Sequence, residues 1–179
     1  ELDDAKSVRV EVKVGAAQLK VSGGAEKLLE SDFTYNVAKM KPEVKYENGV
    51  LVVQHADVKG FSSLQNIKDY RNEWDLRLSN KVPMDLSVDL GAGVSNLQLA
   101  GLPLTNLEVT LGAGESMIDL SGDWARDLLA TIDTGAANVT VRLPKDVGVR
   151  VQIDAGASMV IAPDLKKDGD AYTNDAYGT

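Results

Sequence analysis

Three aspartates stand at the same distance from a short glycine turn. Asp89, Asp133 and Asp154 each precede a Gly-Ala pair by two residues. If the segments that carry them stack as neighbouring strands, roughly 5 Å apart, Asp133 and Asp154 lie side by side and repel each other. Calcium prefers carboxylate ligands, so a bound ion would relieve that repulsion. However, Thr110 takes the equivalent place between Asp89 and Asp133, and the glycine-rich calcium nonapeptide is absent. The pattern therefore favours a solvated acidic face, with a calcium column as the alternative.

No other pattern in the chain specifies a catalytic centre or a cofactor site. His55 is the only histidine, and no Gly-x-Ser-x-Gly motif accompanies it, so we expect an ordinary surface histidine. The Gly91-Ala92-Gly93 turn lacks the Lys-Ser/Thr pair and the helix of a phosphate-binding loop. Cysteine is absent, which excludes disulfides, thiolate metal sites and cysteine nucleophiles. We predict no catalytic residue and no cofactor, and we predict that the protein is not an enzyme.

Acidic residues are numerous enough to include the pair of carboxylates that a glycosidase needs. Polysaccharide sites usually add exposed aromatic platforms, whereas aromatic residues make up only 5% of this chain. Trp74 and Trp124 are expected to be packing or capping residues. A polysaccharide-binding or polysaccharide-cleaving β-helix is the alternative function, and exposed tryptophans or tyrosines beside carboxylates would support it.

The composition limits the class of protein. The chain has 179 residues, of which 44% are hydrophobic, enough for one sizeable domain with an aliphatic core. It has 19 basic and 27 acidic residues, a net charge of −8, which argues against binding to the phosphate backbone of nucleic acids. No apolar run reaches the length of about 18 residues that a membrane span needs. The chain begins at Glu1 rather than Met, which fits the removal of an export signal or membrane anchor, or an arbitrary boundary.

A repeated unit supplies the elements that would position these side chains. Five Gly-Ala turns recur, and the glycines that open the last four follow one another at a nearly constant spacing of roughly 20 to 25 residues. Apolar residues alternate before each turn, for example Leu107, Val109 and Leu111, and alternate again after it. This pattern predicts a strand, a tight turn and a second strand in every unit. The glycines predicted to form the structural turns are Gly15, Gly91, Gly93, Gly112, Gly114, Gly135 and Gly156.

Two folds fit this unit. Successive hairpins could form an antiparallel sandwich, or the two strands of each unit could be two sides of one coil of a β-solenoid. We favour the solenoid, because the same residue class returns at the same offset in every unit and glycine suits corners where backbones approach closely. The predicted fold is all-β: a single β-solenoid domain over residues 1–179, right-handed and β-helix-like, with coils of about 21 residues and a repeat core over 84–164.

Residues 23–82 break the period and are predicted to form a β-rich elaboration or cap. Within them, residues 25–30 indicate a short helix. Residues 45–54 indicate a hairpin that turns at Asn48-Gly49, since Asn-Gly between apolar runs is a strong hairpin signature. Solenoids need such caps, because an end coil exposes apolar surface and unpaired backbone. For the same reason, exposed end coils are expected to allow end-to-end self-association of two chains.

Four segments of the chain resemble the bacterial toast-rack domains. They are residues 8–25, with VRVEV before a Gly-Ala turn and LKVSGGA after it, LSVDLGAG over residues 86–93, residues 107–116, and YTNDAYG over residues 172–178. These domains are similar to the C-terminal region of LiaF-type cell-envelope stress proteins and to proteins named as putative adhesins. The similarity extends over nearly the whole chain. The family pattern usually continues past the Tyr-Gly pair into one more strand pair.

The resemblance implies a β-solenoid that lies outside a membrane and is often tethered to it by a signal anchor, a lipid or helices. It implies a role in sensing or regulating envelope stress through protein contacts, and no catalytic residue comes with the family. We therefore predict a non-catalytic cell-envelope scaffold or protein-interaction domain, in envelope-stress sensing or adhesion. Its expected partner is a protein or another envelope component, not nucleic acid, and its expected location is extracytoplasmic or membrane-tethered.

Overall fold

Alternating apolar residues form strands throughout the part of the chain that the structure describes. The computed structural model describes residues 6–55, 70–153 and 161–179. Its strands are β1 (Val8–Ala25), β2 (Leu29–Tyr35), β3 (Pro42–Glu47), β4 (Val50–His55), β5 (Asn72–Ser79), β6 (Met84–Gln98), β7 (Leu104–Asp119), β8 (Leu129–Arg142), β9 (Arg150–Gln152), β10 (Lys166–Asp168) and β11 (Ala171–Thr173). A 3₁₀ turn spans Ala38–Met40, and the described residues contain no α-helix. The prediction of an all-β fold is confirmed. Over the same residues, no helix has the length and apolar character needed to cross a membrane.

The short helix predicted over residues 25–30 is wrong. β1 continues to Ala25, whose register partner on β5 is Ser79. Because this pairing extends β1, only residues 26–28 remain before β2, less than one turn of an α-helix. A tertiary contact with a strand that is distant in the sequence therefore overrides the local helical pattern.

The four long strands, β1, β6, β7 and β8, pair side by side in parallel. Equivalent positions of the repeats are in register: Val12 on β1 pairs with Val88 on β6, then Val109 on β7, then Ile132 on β8. The two predicted strands of each unit are thus two legs of one continuous strand that bends at its glycine turn. We call the part before the turn the first leg and the part after it the second leg. Successive repeats do not pair as antiparallel hairpins in these four strands.

The inward side chains of this stack form aliphatic columns. One column consists of Val10, Leu86 and Leu107, all of which are buried. The same column ends on β8 at Ala130, which is exposed. The core therefore lies inside β1 and β4–β7, and its burial decreases at β8, the last strand of the main sheet.

The glycine turns at which the long strands bend form the corners of the stack. Glycine is required there because the backbone of each corner lies directly against the backbone of the corner in the neighbouring strand. A Cβ on Gly91 would stand 2.5 Å from the carbonyl oxygen of Gly15. Gly93 and Gly114 have φ angles of 136° and 123°, and a Cβ on either would overlap a backbone carbonyl of the preceding strand. The same backbone obstacle stands at Gly112 and Gly135. Gly156 lies outside the described residues.

Two shorter pairs of strands extend the sheet along the other edge of β1. β4 lies parallel to the first leg of β1, and β5 lies parallel to its second leg. β3 pairs antiparallel with β4, and β2 pairs antiparallel with β5. The predicted hairpin is confirmed, since Asn48 and Gly49 join β3 to β4 with φ angles of 51° and 79°. The elaboration at 23–82 thus extends the main sheet beyond β1; its role as a cap stays a prediction.

The C-terminal strands form a second, three-stranded sheet in the order β10-β11-β9. β9 belongs to the fifth repeat, but it pairs antiparallel with β11, where Val151 is opposite Tyr172. Asn174 holds this sheet to the preceding loop: its Oδ1 accepts from the Val149 N–H at 2.9 Å, and its Nδ2 donates to the Val147 carbonyl at 2.8 Å. Residues 150–152 of the fifth repeat therefore pair in this second sheet, and residues 154–160 of that repeat lie outside the described residues.

Candidate functional site

The structure brings the predicted acidic positions onto one outer column of the stack. Lys13, Asp89, Thr110 and Asp133 are successive register partners on β1, β6, β7 and β8. Asp89 therefore has a lysine on one side and a threonine on the other, and the same threonine separates it from Asp133. Asp154 lies outside the described residues, so the calcium column stays a prediction. Within residues 6–55, 70–153 and 161–179, no group of three acidic or histidine side chains could hold a metal ion.

The outer side of the first legs forms an acidic face. Its carboxylates belong to Glu11, Asp85, Asp89, Glu108 and Asp133. At the β1 end, Lys13 Nζ lies 2.7 Å from Glu11 Oε2, and Arg9 Nε lies 2.9 Å from Glu11 Oε1. The hydrogen bond from Lys13 and the charges of both cations lower the pKa of Glu11. Because these carboxylates are at least partly exposed, the acidic face is hydrated.

The outer side of the second legs has a different chemistry. On β6 and β7, Val94 and Met117 are 51% and 38% exposed. Val94 pairs with Glu115, two residues before Met117, so the two apolar side chains are diagonal neighbours about 7–8 Å apart. We call this surface the neutral face; it consists of Val94, Asn96, Gln98, Met117, Asn138 and Thr140, with the carboxylate of Glu115 among them and the Asp119–Arg142 ion pair at its end, where Oδ2 and Nη1 are 3.7 Å apart. It was missed in the sequence because only inward positions were followed; the apolar residues Val94 and Met117 at outward second-leg positions are the signature that could have found it.

His55 is not the surface histidine that was expected from the sequence, since it is only 9% exposed. Asn72 Nδ2 lies 3.0 Å from His55 Nε2 and donates to the Ala16 carbonyl at 2.7 Å. Trp74 Nε1 donates to Asn72 Oδ1 at 2.9 Å, and the Tyr70 hydroxyl donates to the same Ala16 carbonyl. These five residues form the corner cluster, which joins the end of β4 and the start of β5 to the corner of β1. The histidine is buried because β4 and β5 meet there, which its sequence neighbours do not reveal.

The partners of His55 determine its protonation state. Trp74 Nε1 can only donate and the Ala16 carbonyl can only accept, so Asn72 turns its oxygen to Trp74 and its amino group to Ala16 and His55. His55 Nε2 then accepts from Asn72, while the Gly15 N–H approaches His55 Nδ1 at 3.4 Å. A neutral imidazole has one acceptor nitrogen and an imidazolium has none. Protonation of His55 would therefore place an N–H on Nε2 facing the amino group of Asn72, with no acceptor between them. Burial also lowers the pKa of His55. The neutral ring is therefore the form that this site holds.

Neither tryptophan forms an exposed aromatic platform. Trp74 is 1% exposed and packs edge-on against Phe33 and His55, with ring centroids 5.1 and 5.0 Å away. Trp124 is half-buried, and its Nε1 donates to the Leu120 carbonyl at 2.8 Å. Both act as packing residues, as expected from the sequence. They give the polysaccharide alternative no stacking surface.

A buried pair of serines lies inside the second legs. Ser95 on β6 and Ser116 on β7 are register partners, and their hydroxyl oxygens are 2.6 Å apart. One hydroxyl donates and the other accepts, so the two serines share one hydrogen bond in an otherwise aliphatic column. The histidine of the chain bonds to Asn72 and not to either serine, so this pair has the geometry of a structural contact and not of an activated nucleophile.

Comparisons with known proteins agree with this architecture. The family model "N-terminal domain of toast_rack, DUF2154" matches residues 1–142. The crystal structure of a putative cell adhesion protein from Clostridium sporogenes ATCC 15579 is similar to the chain, with a TM-score of 0.91 and 32% sequence identity. The similarity covers 99% of this chain and 85% of that one. No curated protein matches the chain. From the family match and the structural neighbour together, the chain belongs to the toast-rack family.

Proposed function

We propose that this domain is a non-catalytic scaffold of the bacterial cell envelope that binds a protein or another envelope component through its neutral face. The observation that carries the proposal is the in-register stack of β1, β6, β7 and β8, which buries its aliphatic residues and displays a broad outer surface. The buried polar groups of the corner cluster form hydrogen bonds within that cluster, and the two serines form a hydrogen bond with each other. They hold strands together and do not converge on a solvent-filled site.

We infer further that the stack is a β-solenoid, wound like a right-handed β-helix. Parallel strands joined by crossover connections are nearly always right-handed. The register supports one repeat for each coil, since Leu86 pairs with Leu107 and Leu107 with Ala130. The length of each coil is then set by its connector, the segment between one long strand and the next, such as residues 99–103 between β6 and β7, while the corner glycines stay aligned.

The neutral face has the usual anatomy of a protein contact surface. Val94 and Met117 supply exposed apolar area at its centre, and amides and hydroxyls around them supply hydrogen-bond donors and acceptors. Binding there removes apolar surface from water without stripping water from many charges. The acidic face, in contrast, would have to lose the hydration of several carboxylates, so it is suited to remain solvated.

The proposed location is extracytoplasmic, either tethered to a membrane or attached to the cell surface. Two likenesses support it: the structural neighbour is described as a putative cell adhesion protein, and the sequence of the repeats resembles that of LiaF-type envelope stress proteins. Adhesion and stress sensing both need a rigid body that presents a constant surface. The proposed role is therefore contact with a partner, in adhesion or in sensing envelope stress.

Bead adhesion tests this proposal. Beads coated with the purified domain are passed over immobilised bacterial envelope fragments, either intact or treated with protease. Wild-type beads are expected to be retained, whereas a variant with Val94→Glu and Met117→Glu is expected to lose at least about tenfold in affinity, or roughly 1.4 kcal/mol. Protease sensitivity of the retention distinguishes a protein partner from a polysaccharide one.

The matched control places the same two negative charges on exposed apolar residues outside the neutral face, as Leu129→Glu with Ile161→Glu, whose side chains are 69% and 80% exposed. This control is expected to bind like the wild type, and thermal melts of all three proteins show whether they fold. Equal retention of wild-type and albumin-coated beads would overturn the proposed contact. Release of reducing sugar from envelope polysaccharide by the purified domain would overturn its non-catalytic character and support the polysaccharide alternative.

A further inference from the structure

Within residues 6–55, 70–153 and 161–179, the last strand of the main sheet has no partner strand along its outer edge. β8 is 14 residues long, it ends the order of the main sheet, and among the described strands it pairs only with β7. Its inward residues continue the buried columns of β7 but are half-buried or exposed themselves. Leu129 at its start is 69% exposed. The open end of the stack thus combines unpaired backbone with incompletely covered apolar side chains.

The other free edges of the main sheet are protected against pairing, and β8 is not. Natural proteins protect edge strands with charged side chains, proline or shortness. The edge strand β3 has six residues, among them Pro42, Glu43, Lys45 and Glu47, and the edge strand β2 has seven, among them Glu30 and Asp32. β8 has twice the length of β2, no proline and no lysine, and its two charges, Asp133 and Arg142, cancel. Its sequence is rich in threonine, valine and alanine, of which threonine and valine favour strand pairing.

The pattern of β8 is self-complementary about its corner. Inward residues stand at Ala130, Ile132 and Thr134 before the corner and at Ala137, Val139 and Val141 after it. In an antiparallel pair, directly opposite residues point to the same face of the sheet. A two-fold axis through Gly135-Ala136 therefore sets every inward residue opposite an inward residue of the other copy.

This axis also gives compatible neighbours. Ile132 of each copy meets Val139 of the other on the inner side, and Thr131 meets Thr140 on the outer side. β-Branched and threonine pairs of this kind stabilise antiparallel strands. Asp133 falls opposite Asn138 and Arg142 opposite Leu129, so no like charges meet across the axis. The absence of repulsion matters in a chain with a net charge of −8.

We propose that the free edge of β8 pairs antiparallel with the same edge of a second copy, which closes the open ends of both stacks in a two-fold dimer. The occupant of the edge is thus another copy of this chain. The pairing goes beyond the proposed envelope function: it names the end of the stack that self-associates, the symmetry and the register.

Cysteine cross-linking tests the register, because the natural chain contains no cysteine. Thr131→Cys and Thr140→Cys are made in separate chains. Under mild oxidation, an equimolar mixture of the two is expected to form a disulfide-linked dimer, whereas each variant alone is not, since residue 131 is opposite residue 140 and not opposite itself. Cross-linking of either variant alone as efficiently as the mixture, or absence of cross-linking in the mixture, would overturn this register.

Sedimentation equilibrium tests the association itself. The wild-type chain is expected to reach twice its mass of 19.1 kDa as concentration rises. The pair Thr131→Lys with Thr140→Lys sets like charges opposite each other and is expected to weaken the dimer at least tenfold, which is about 1.4 kcal/mol. The matched pair Thr131→Lys with Thr140→Glu sets opposite charges there and is expected to dimerise.

A monomer at every concentration, with the amides of β8 protected from hydrogen exchange, would show that the chain covers its own edge. A monomer with exchanging β8 amides would show that a different partner is needed. Either result overturns the dimer. It would leave the envelope function standing, because Val94 and Met117, which test that function, lie on β6 and β7.

Discussion

Replacing Asn72 by alanine tests whether the corner cluster holds β4 and β5 onto β1. The Asn72 side chain makes three hydrogen bonds, to the Ala16 carbonyl at 2.7 Å, to His55 Nε2 at 3.0 Å and from Trp74 Nε1 at 2.9 Å. Each partner belongs to a different strand or strand corner, and two of the three are side chains of buried residues. Asn72→Ala therefore removes the central link and leaves its partners in place.

The expected loss follows from the groups left without a partner. The Ala16 carbonyl keeps the hydroxyl of Tyr70, but Trp74 Nε1 loses its acceptor and His55 Nε2 loses its donor. A buried polar group without a partner costs about 1 to 3 kcal/mol, so Asn72→Ala is expected to lower the free energy of unfolding by about 2 to 6 kcal/mol. Small domains are stable by only about 5 to 15 kcal/mol, so the effect is a large share of the total.

Urea unfolding followed by tryptophan fluorescence measures this loss. The matched control is Asn96→Ala, which removes the same side chain from the outer side of β6 and is expected to cost less than about 1 kcal/mol. If Asn72→Ala lowers stability no more than Asn96→Ala does, the corner cluster does not contribute as the hydrogen bonds indicate. In that case the assignment of His55 as a neutral acceptor would lose its support.

The remaining predictions concern pH, the corner, the serine pair and calcium. The pKa of His55 is lowered in the folded protein, so neutral His55 contributes fully to the free energy of unfolding above the unfolded pKa of about 6.5, and this contribution is lost as pH falls below that value. In urea titrations over that range, the stability of His55→Gln should therefore depend less on pH than that of the wild type. Gly114→Ala adds a Cβ that overlaps a backbone carbonyl at a φ of 123°, whereas the Cβ of Gly122→Ala, at a φ of 95°, meets nothing closer than 3.9 Å. Gly114→Ala should therefore lower the melting temperature more than Gly122→Ala does. Ser116→Ala should cost about 1 to 3 kcal/mol, and adding Ser95→Ala should recover part of that loss in a double-mutant cycle, whereas simple additivity would contradict the pairing. Millimolar calcium should leave the melting temperature where a chelator leaves it, and a rise would support the calcium column.

The regular part of the fold follows from the sequence because its causes are local and repeated. Alternation of apolar residues and a fixed spacing of Gly-Ala turns predict strands that align unit by unit, and Val12, Val88 and Val109 do so. Asn48-Gly49 predicts its hairpin because positive φ is a property of those residues themselves. Where the backbone preference of the residues and the period of their side chains agree, a single sequence is enough to predict the local structure.

The features that could not be predicted from the sequence depend on contacts between distant residues. Asn72 and Ala16 are far apart along the chain, so nothing near either residue reveals the buried corner cluster. Ser95 and Ser116 differ, because the alternation with Leu97 and Ile118 places both inward and their polar character alone concealed the pair. The false helix at 25–30 has the same origin, because pairing with β5 decides the conformation of Ala25. The neutral face is the exception, since the apolar residues at its outward positions, Val94 and Met117, were visible in the sequence.

The crowded glycine corners restrict how such a protein can change in length during evolution. An insertion within a corner would push a backbone carbonyl into the strand beside it, and the error would pass to every following strand. The connectors tolerate change, since β7 and β8 keep their pairing although Gly112 and Gly135 are further apart along the chain than Gly91 and Gly112. Relatives of different size should therefore differ in their connectors or by entire repeats, with the corners themselves invariant in length.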